Sequence, residues 1–231
     1  MEAPLQRIAV VAGANGLVGR WLLRVLSASD DYARIIALTR RPLSFEAPRL
    51  VNRILRYETL EADLKGLVCH EAYCCLGSTR AAAGSDAAFR AIDHDLVLRY
   101  AQFVRNAGAQ ALSVVSSVAA DPASKNFYLR VKGETELALQ AQGWRTLHIM
   151  QPGLLLGQRR EWRTLEVIGG LLMRIANPLL MGDYARWRAI AARDVAAALH
   201  GALRSGRAGV HRHTWASMQA LAAVSRKSTR P

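Results

Sequence analysis

Three glycines, Gly13, Gly16 and Gly19, separate an apolar run, Ile8-Ala-Val-Val-Ala12, from a helix-like run that opens at Leu17. This order constrains the fold more than any other feature of the chain. A strand that passes into a helix through glycines leaves backbone N–H groups open at the helix start, where the positive end of the helix attracts phosphate. Gly13 allows the tight turn, Gly16 lets the backbone approach a pyrophosphate, and Gly19 lets the helix pack close to a sheet. Asn15, Leu17 and Val18 lie within the same run and belong to the same candidate dinucleotide site. The spacing is G-x-x-G-x-x-G rather than G-x-G-x-x-G. Such a string also fits a turn that serves only packing, and the flanking strand and helix patterns are what favour a ligand.

The alternation continues along the chain. Residues 7–12, 34–39, 53–57, 72–76, 111–116 and 146–150 read as strands. Residues 17–29, 60–67, 86–106 and 125–142 read as helices or helical turns, with Trp21, Leu22, Val25 and Leu26 on one apolar face. The segment from Ala72 to Leu76 is apolar throughout, as a strand covered on both faces of a parallel sheet must be. The pattern predicts a doubly wound, mainly parallel α/β sheet. Beyond Pro152 it loosens, with a helix expected over 165–175, a short strand over 188–191 and a helix over 193–203. Residues 1–231 are read as one domain in which roughly 152–231 supply a small substrate-pocket or lid region, and the polar, basic residues 225–231 are expected to fray.

Bulk properties narrow the function classes. With 231 residues and 51% hydrophobic composition the chain can bury a full core, with no room for a second large domain. No apolar stretch reaches the roughly 18 residues of a membrane span, and the N-terminus lacks the pattern of a secretion signal. A cytoplasmic protein without a membrane partner is the expectation. A formal charge of +13, from 31 Lys and Arg against 18 Asp and Glu, invites nucleic acid as a partner. The basic residues are scattered, however, among them Arg49, Arg53, Arg56, Arg159, Arg160, Arg163 and the segment from Lys227 to Arg230, and no nucleic-acid motif accompanies them. Cys69, Cys74 and Cys75 have neither metal-ligand nor disulfide spacing and read as buried thiols. His211 and His213 alternate as in a strand, without the partners of a metal site. Trp162 and Trp187 are candidates for a substrate cavity or for lid packing.

The end of the second strand reads Ala37-Leu-Thr-Arg-Arg-Pro42. A site for NAD(H) places a carboxylate there for the adenine ribose hydroxyls, and none is present. Arg40 and Arg41 instead offer guanidinium forks for the 2′-phosphate of NADP(H), which is therefore the expected cofactor, with NAD(H) less favoured. Arg40, directly after the strand, is the stronger candidate.

The reacting end follows strand five, which finishes at Ser116-Ser117. Tyr128 and Lys132, four residues apart, share one face of the next helix. An ammonium near a phenol lowers the phenol pKa from about 10. Tyr128 can then exchange a proton with a carbonyl or alcohol oxygen while nicotinamide exchanges hydride. Lys132 can also hold the nicotinamide ribose, and Ser117 can hydrogen-bond the reacting oxygen, with Ser116 in its place if the strand register is shifted.

In these marks the chain resembles the atypical short-chain dehydrogenase/reductase superfamily, especially its Tat-interactive protein oxidoreductase group and bacterial relatives. The resemblance is strongest from Ile8 to Gly157. It rests on Gly13-Ala-Asn-Gly16-Leu-Val-Gly19, Thr39-Arg-Arg41, Cys74-Cys-Leu-Gly-Ser-Thr-Arg80, Ser116-Ser117, Tyr128-Leu-Arg-Val-Lys-Gly-Glu134 and Gln151-Pro-Gly153. It implies an NADP(H) binder on a Rossmann-type sheet, with Ser117, Tyr128 and Lys132 catalytic. It also implies that Gly77 lies beside the cofactor, that Pro152 passes near nicotinamide and that Arg80 stands at the pocket mouth. Many such enzymes organise a proton relay with an Asn where this chain reads Ala91-Ile-Asp-His-Asp95, so that either Asp93 takes its place or the relay is absent. Gln151 replaces an Arg common in sugar-nucleotide members. The leading expectation is an NADP(H)-dependent oxidoreductase of a small carbonyl or alcohol. The alternatives are an NADP(H)-sensing regulator with a protein partner and, less favoured, a nucleotide-sugar epimerase or dehydratase. A homodimer is implied by the resemblance alone.

Overall fold

Ala9, Val10, Val11 and Ala12 are all fully buried, and a strand that is apolar on both faces belongs in the middle of a covered sheet. The computed structural model, which describes residues 7–157 and 180–228, places it there. The strands in chain order are β1 (Arg7–Ala12), β2 (Tyr32–Thr39), β3 (Leu50–Ile54), β4 (Glu71–Cys74), β5 (Ala111–Val115), β6 (Thr146–Met150), β7 (Leu155–Leu156), β8 (Ile190–Ala191) and β9 (Gly209–His213). Seven of them form one parallel sheet in the order β3-β2-β1-β4-β5-β6-β9, and β7 pairs with β8 separately. The chain winds outward from β1 to one edge, then crosses back to β4 and winds to the other. That reversal leaves a crevice above the carboxyl ends of β1 and β4.

Helices α1 (Leu17–Ser27), α2 (Leu60–Asp63), α3 (Arg80–Ala83), α4 (Asp86–Arg90), α5 (Leu96–Asn106), α6 (Phe127–Ala141), α7 (Ala192–Arg204) and α8 (Trp215–Ser228) surround the sheet. On one face Leu22, Leu23 and Leu26 of α1 meet Val195 and Leu199 of α7 and Met218 of α8. On the other, Leu60, Tyr100, Val104 and Leu139 pack over Val10, Ile36 and Leu112. These two layers are the doubly wound α/β architecture expected from the alternation.

At the amino end of the sheet, charges and hydroxyls bind α7 and α8 to the first strands. Arg204 reaches Asp31 at 3.2 Å and also pairs with Glu71. Tyr32 donates to Glu71 at 2.6 Å and lies 2.6 Å from the Tyr73 hydroxyl. His200 contacts Asp31 through Nε2 at 3.0 Å and Ser225 through Nδ1 at 2.9 Å. The His200 hydrogen bond, helped by Ser29 and Arg204, overcomes burial and holds the Asp31 carboxyl well below the usual range.

Several local expectations are corrected. The third strand occupies Leu50–Ile54 rather than 53–57, because the Arg49 carbonyl accepts from Ile35 and its guanidinium bonds the Tyr32 and Ser27 carbonyls, which fixes where pairing starts. The single helix expected over 86–106 is interrupted by a π-helical turn, Ala91–Asp95, that turns Asp93 fully inward. The helical turn after residue 60 ends at Asp63. Between β4 and α4 the chain also forms α3, capped by Thr79, whose hydroxyl accepts from Ala82 at 3.1 Å. Residues 225–228 continue α8 instead of fraying, because Ser225 is buried against His200. The helix expected over 165–175, Arg159, Arg160, Arg163 and Trp162 lie outside the described residues.

Candidate active site

The crevice at the sheet reversal is a cleft of about 770 Å³. Its floor is the glycine turn. Gly13 has φ +74°, and a Cβ there would run into the Cys75 carbonyl and lie 2.7 Å from the Leu76 nitrogen. A Cβ on Gly19 would strike the Gly13 carbonyl and approach Ala14 Cα to 2.8 Å, so the two glycines let α1 seat against the end of β4. Gly16 caps α1 without any side-chain hydrogen bond, which leaves the first helical N–H groups facing the cleft beside Asn15, Leu17 and Val18. Gly13 and Gly19 thus shape the turn from beneath, while Gly16 lines it.

Asn15 Nδ2 donates to the Arg41 carbonyl at 2.8 Å and ties this turn to the loop after β2. Arg41 lines the cleft with Arg20, Pro42 and Ser44, whereas Arg40 is exposed and stands off it. Of the two arginines it is thus Arg41, and not the favoured candidate Arg40, that borders the cleft. The peptide at Thr39 carries β2 to its end, and the next residue points outward. Arg80 lies at the opposite side of the cleft with Gly77, Ser78 and Thr79. Its guanidinium bonds Asp86 at 2.6 Å and covers the Phe127 ring at 5.2 Å.

Tyr128 and Lys132 project from α6 into the same cleft. Asn126 caps this helix by accepting from the Leu129 N–H at 3.2 Å, and Tyr128 packs against Phe89 with ring centroids 5.5 Å apart. A Cβ on Gly133 would collide with the Asp121–Pro122 peptide, so the preceding loop lies directly on α6 and fixes its depth. Lys132 is buried, and its Nζ is 2.6 Å from Asp93 Oδ1. Asp93 Oδ2 accepts from the Ser78 N–H at 2.7 Å, and Thr135 Oγ1 donates to the Asp93 carbonyl at 3.1 Å. Burial works against the ammonium, but Asp93, then Tyr128, hold its pKa above the ordinary lysine value.

The serines fall differently from expectation. Ser116 lines the cleft, and its hydroxyl donates to Glu136 Oε1 at 2.5 Å; Ser117 is off the lining and donates to the Val118 carbonyl at 3.2 Å. The strand ends one residue earlier than expected, which shifts the first serine into the place assigned to the second. Pro152 is also off the lining, where its carbonyl accepts from the Val118 N–H at 2.9 Å. Trp187, partly exposed, does not reach the cleft. Sequence reading overlooked Glu136, a buried carboxylate that accepts from Gln151 at 2.9 and 3.0 Å and from Arg212 at 3.0 Å. It follows Lys132 by four residues, so the stripe Tyr128, Lys132, Glu136 carried the signal.

Comparisons with known proteins place this geometry. No family model matches the chain. Protein HTATIP2 of Rattus norvegicus is 32% identical over 157 residues, 66% of this chain and 64% of the rat protein, so the match spans just under two thirds of that relative. Protein FMP52, mitochondrial, of Saccharomyces cerevisiae is 34% identical over 182 residues, 77% of this chain and 78% of the yeast protein. Among solved structures, MoeE5 in complex with UDP-glucose and NAD matches with TM-score 0.63 and 18% identity over 89% of this chain and 75% of its own. Human epimerase family protein SDR39U1 (isoform2) with NADPH matches with TM-score 0.58 and 19% identity over 90% and 74%. The cytoplasmic expectation is overturned by these relatives, since FMP52 proteins from several fungi are named mitochondrial. Mitochondrial targeting segments are amphipathic and Arg-rich, so a search for an apolar leader does not separate the two compartments. Among the described residues, no helix is long and apolar enough to cross a membrane. The extent of the FMP52 match shows that the chain belongs to the FMP52 family, and the solved structures show the Rossmann-type fold that it shares with proteins solved with NAD and with NADPH.

Proposed function

We propose that the protein is an NADP(H)-dependent reductase of a small carbonyl compound. The observation that carries this reading is the convergence of Tyr128 and Lys132 with the open N-terminus of α1 on one cleft. The glycine cradle fits a dinucleotide, because no side chain caps the start of α1 and Gly16 lines the cleft there without a Cβ. Bound NADPH would supply hydride to the carbonyl carbon. The N–H groups at Leu17 and Val18 would hold the diphosphate, and Arg41 would donate to the 2′-phosphate at the edge of the turn. Lys132 holds ribose hydroxyls beside Tyr128. The Tyr128 hydroxyl gives its proton to the carbonyl oxygen as the alcohol forms, and the phenolate recovers a proton from solvent.

Ser116 supports the reading as the polar group at the end of β5, with its hydroxyl turned toward Glu136 in this state. A cleft of about 770 Å³, shared by cofactor and substrate, favours a small carbonyl over a nucleotide sugar.

The test is NADPH consumption across a panel of small aldehydes and ketones. Tyr128→Phe is expected to lower turnover by roughly 100-fold to 10,000-fold while NADPH affinity is kept. Unchanged turnover in that variant would remove Tyr128 from the chemistry.

A further inference from the structure

The cation beside Tyr128 is not alone. Asp93 is fully buried and held from three sides: Lys132 Nζ at 2.6 Å, the Ser78 N–H at 2.7 Å and, through its own carbonyl, the Thr135 hydroxyl at 3.1 Å. The Gly77 turn covers the pair, and a Cβ there would lie 3.4 Å from Asp93 Oδ1 and 3.7 Å from Lys132 Nζ. The carboxylate is aimed by the π-helical turn Ala91–Asp95, a local disruption of helix of the kind that recurs at functional sites. Such a pair presents Tyr128 with almost no net charge, unlike a solitary ammonium.

We propose that Asp93 is a positioning residue that neutralises Lys132, so that Tyr128 meets an ion pair rather than a free ammonium, setting the site to donate a proton and so to run toward carbonyl reduction. The inference rests on the reductase reading and adds its preferred direction. A phenolate is stabilised by a nearby cation and destabilised by a nearby anion, and here both charges are locked within one hydrogen bond of each other. The other groups facing the pair do not restore the imbalance. From β4, Cys74 is a thiol that burial pushes up to about 12. From α3, Arg80 is engaged by Asp86 and lies over Phe127. From α4, the uncharged ring of Phe89 packs against Tyr128. One turn along α6, Glu136 is occupied by Ser116, Gln151 and Arg212. Asp93 is the one carboxylate within ion-pair distance of Lys132 among the described residues.

The experiment follows tyrosinate absorbance from about pH 6 to 11 in the wild type, Asp93→Asn and Asp93→Asn/Lys132→Met, each against its own Tyr128→Phe counterpart, so that the difference reports Tyr128 alone. Asp93→Asn is expected to lower the Tyr128 midpoint by about one pH unit or more, because Lys132 then acts on the phenol unopposed. The double variant, which removes both charges, is expected to titrate within about half a pH unit of the wild type. An unchanged or raised midpoint in Asp93→Asn overturns the proposal. So does a double variant whose midpoint lies more than about one pH unit above the wild type, since Lys132 would then have been acting alone. If Asp93→Asn fails to fold with its unpaired buried ammonium, the double variant carries the test by itself. A parallel NADPH titration of the wild type separates the two readings. Absence of NADPH binding removes the reductase function and leaves the Tyr128 midpoints to decide the pair, whereas NADPH binding with the wrong midpoints removes only the pair.

Discussion

The two ends of the parallel sheet each bury a carboxylate against a cation, and they do opposite things with it. At the amino end Arg204, Asp31, Glu71, Tyr32, His200 and Ser225 form a closed network in which nearly every member has more than one partner. It binds the first strands to the last two helices, and none of these residues lines the large cleft. At the carboxyl end a single pair, Asp93 with Lys132, borders a cleft and leaves a phenol beside it. Similar charges become a structural tie or a chemical device according to how many partners they have and whether the next neighbour can meet a ligand.

Breaking the amino-end network should have the largest effect on stability and the smallest on ligand binding. Arg204→Ala removes the cation shared by Glu71 and Asp31, leaving Glu71 with Arg7 at 3.6 Å and Asp31 with His200, and urea denaturation should show a loss of about 3–5 kcal/mol. NADPH affinity of the folded protein should stay within about twofold, since the sites lie at opposite ends of the strands. A loss of affinity as large as the loss of stability would merge the two regions into one.

The glycines sharpen the contrast. Gly13→Ala forces a Cβ into the Cys75 carbonyl at positive φ, and should cost about 1–3 kcal/mol of stability together with at least about tenfold in NADPH affinity. Gly66, at φ +78° with nothing within 4 Å of its Cβ direction, is the control. Its alanine variant should lose about 1 kcal/mol and keep NADPH affinity, by the same denaturation and titration measurements.

Between the arginines the expected effect is smaller. Arg41→Ala should weaken NADPH by roughly tenfold and leave NADH unchanged, while Arg40→Ala should alter neither by more than about twofold. Equal effects of the two substitutions would show that the 2′-phosphate reaches the exposed guanidinium as well.

The mildest perturbation is acid. His148 and His213 stack on the β6–β9 side of the sheet, with Nδ1 and Nε2 2.8 Å apart, and burial followed by the neighbouring histidines pushes each down to about 4. Unfolded imidazoles, with their ordinary value of 6.5, take up protons first, so stability present above pH 6.5 falls progressively as pH approaches 4. Below pH 3.8 the amino-end network adds its own loss, because Asp31 of the unfolded chain takes up a proton while the folded carboxylate still resists it. Urea midpoints measured across this range should fall in that order, and His148→Asn/His213→Asn should flatten only the upper part.

What sequence revealed and what it hid follow the range of the interactions. β1, α1 and β6 were legible because apolar periodicity and glycine turns are local. The start of β3 was hidden because Arg49 sets it by reaching Tyr32 and Ser27. The helical stripe put Tyr128 and Lys132 together, but not the π turn that swings Asp93 into contact with them, since the surrounding sequence has ordinary helical periodicity. Ser116 lines the cleft where Ser117 was expected because strand ends are set by pairing, and Glu136 was passed over although it continues the four-residue stripe of Tyr128 and Lys132.

The tie between Asp31 and Arg204 also bears on how the chain is made. About 170 residues separate the two, so at a synthesis rate of ~5–20 residues per second the first βα unit waits roughly 10–35 s for its partner to leave the ribosome. Throughout that interval Leu22, Leu23 and Leu26 lack the α7 surface that later covers them. The nascent protein therefore presents an apolar helix face for chaperones to hold, and commitment to the finished fold comes only when nearly the whole chain has been translated.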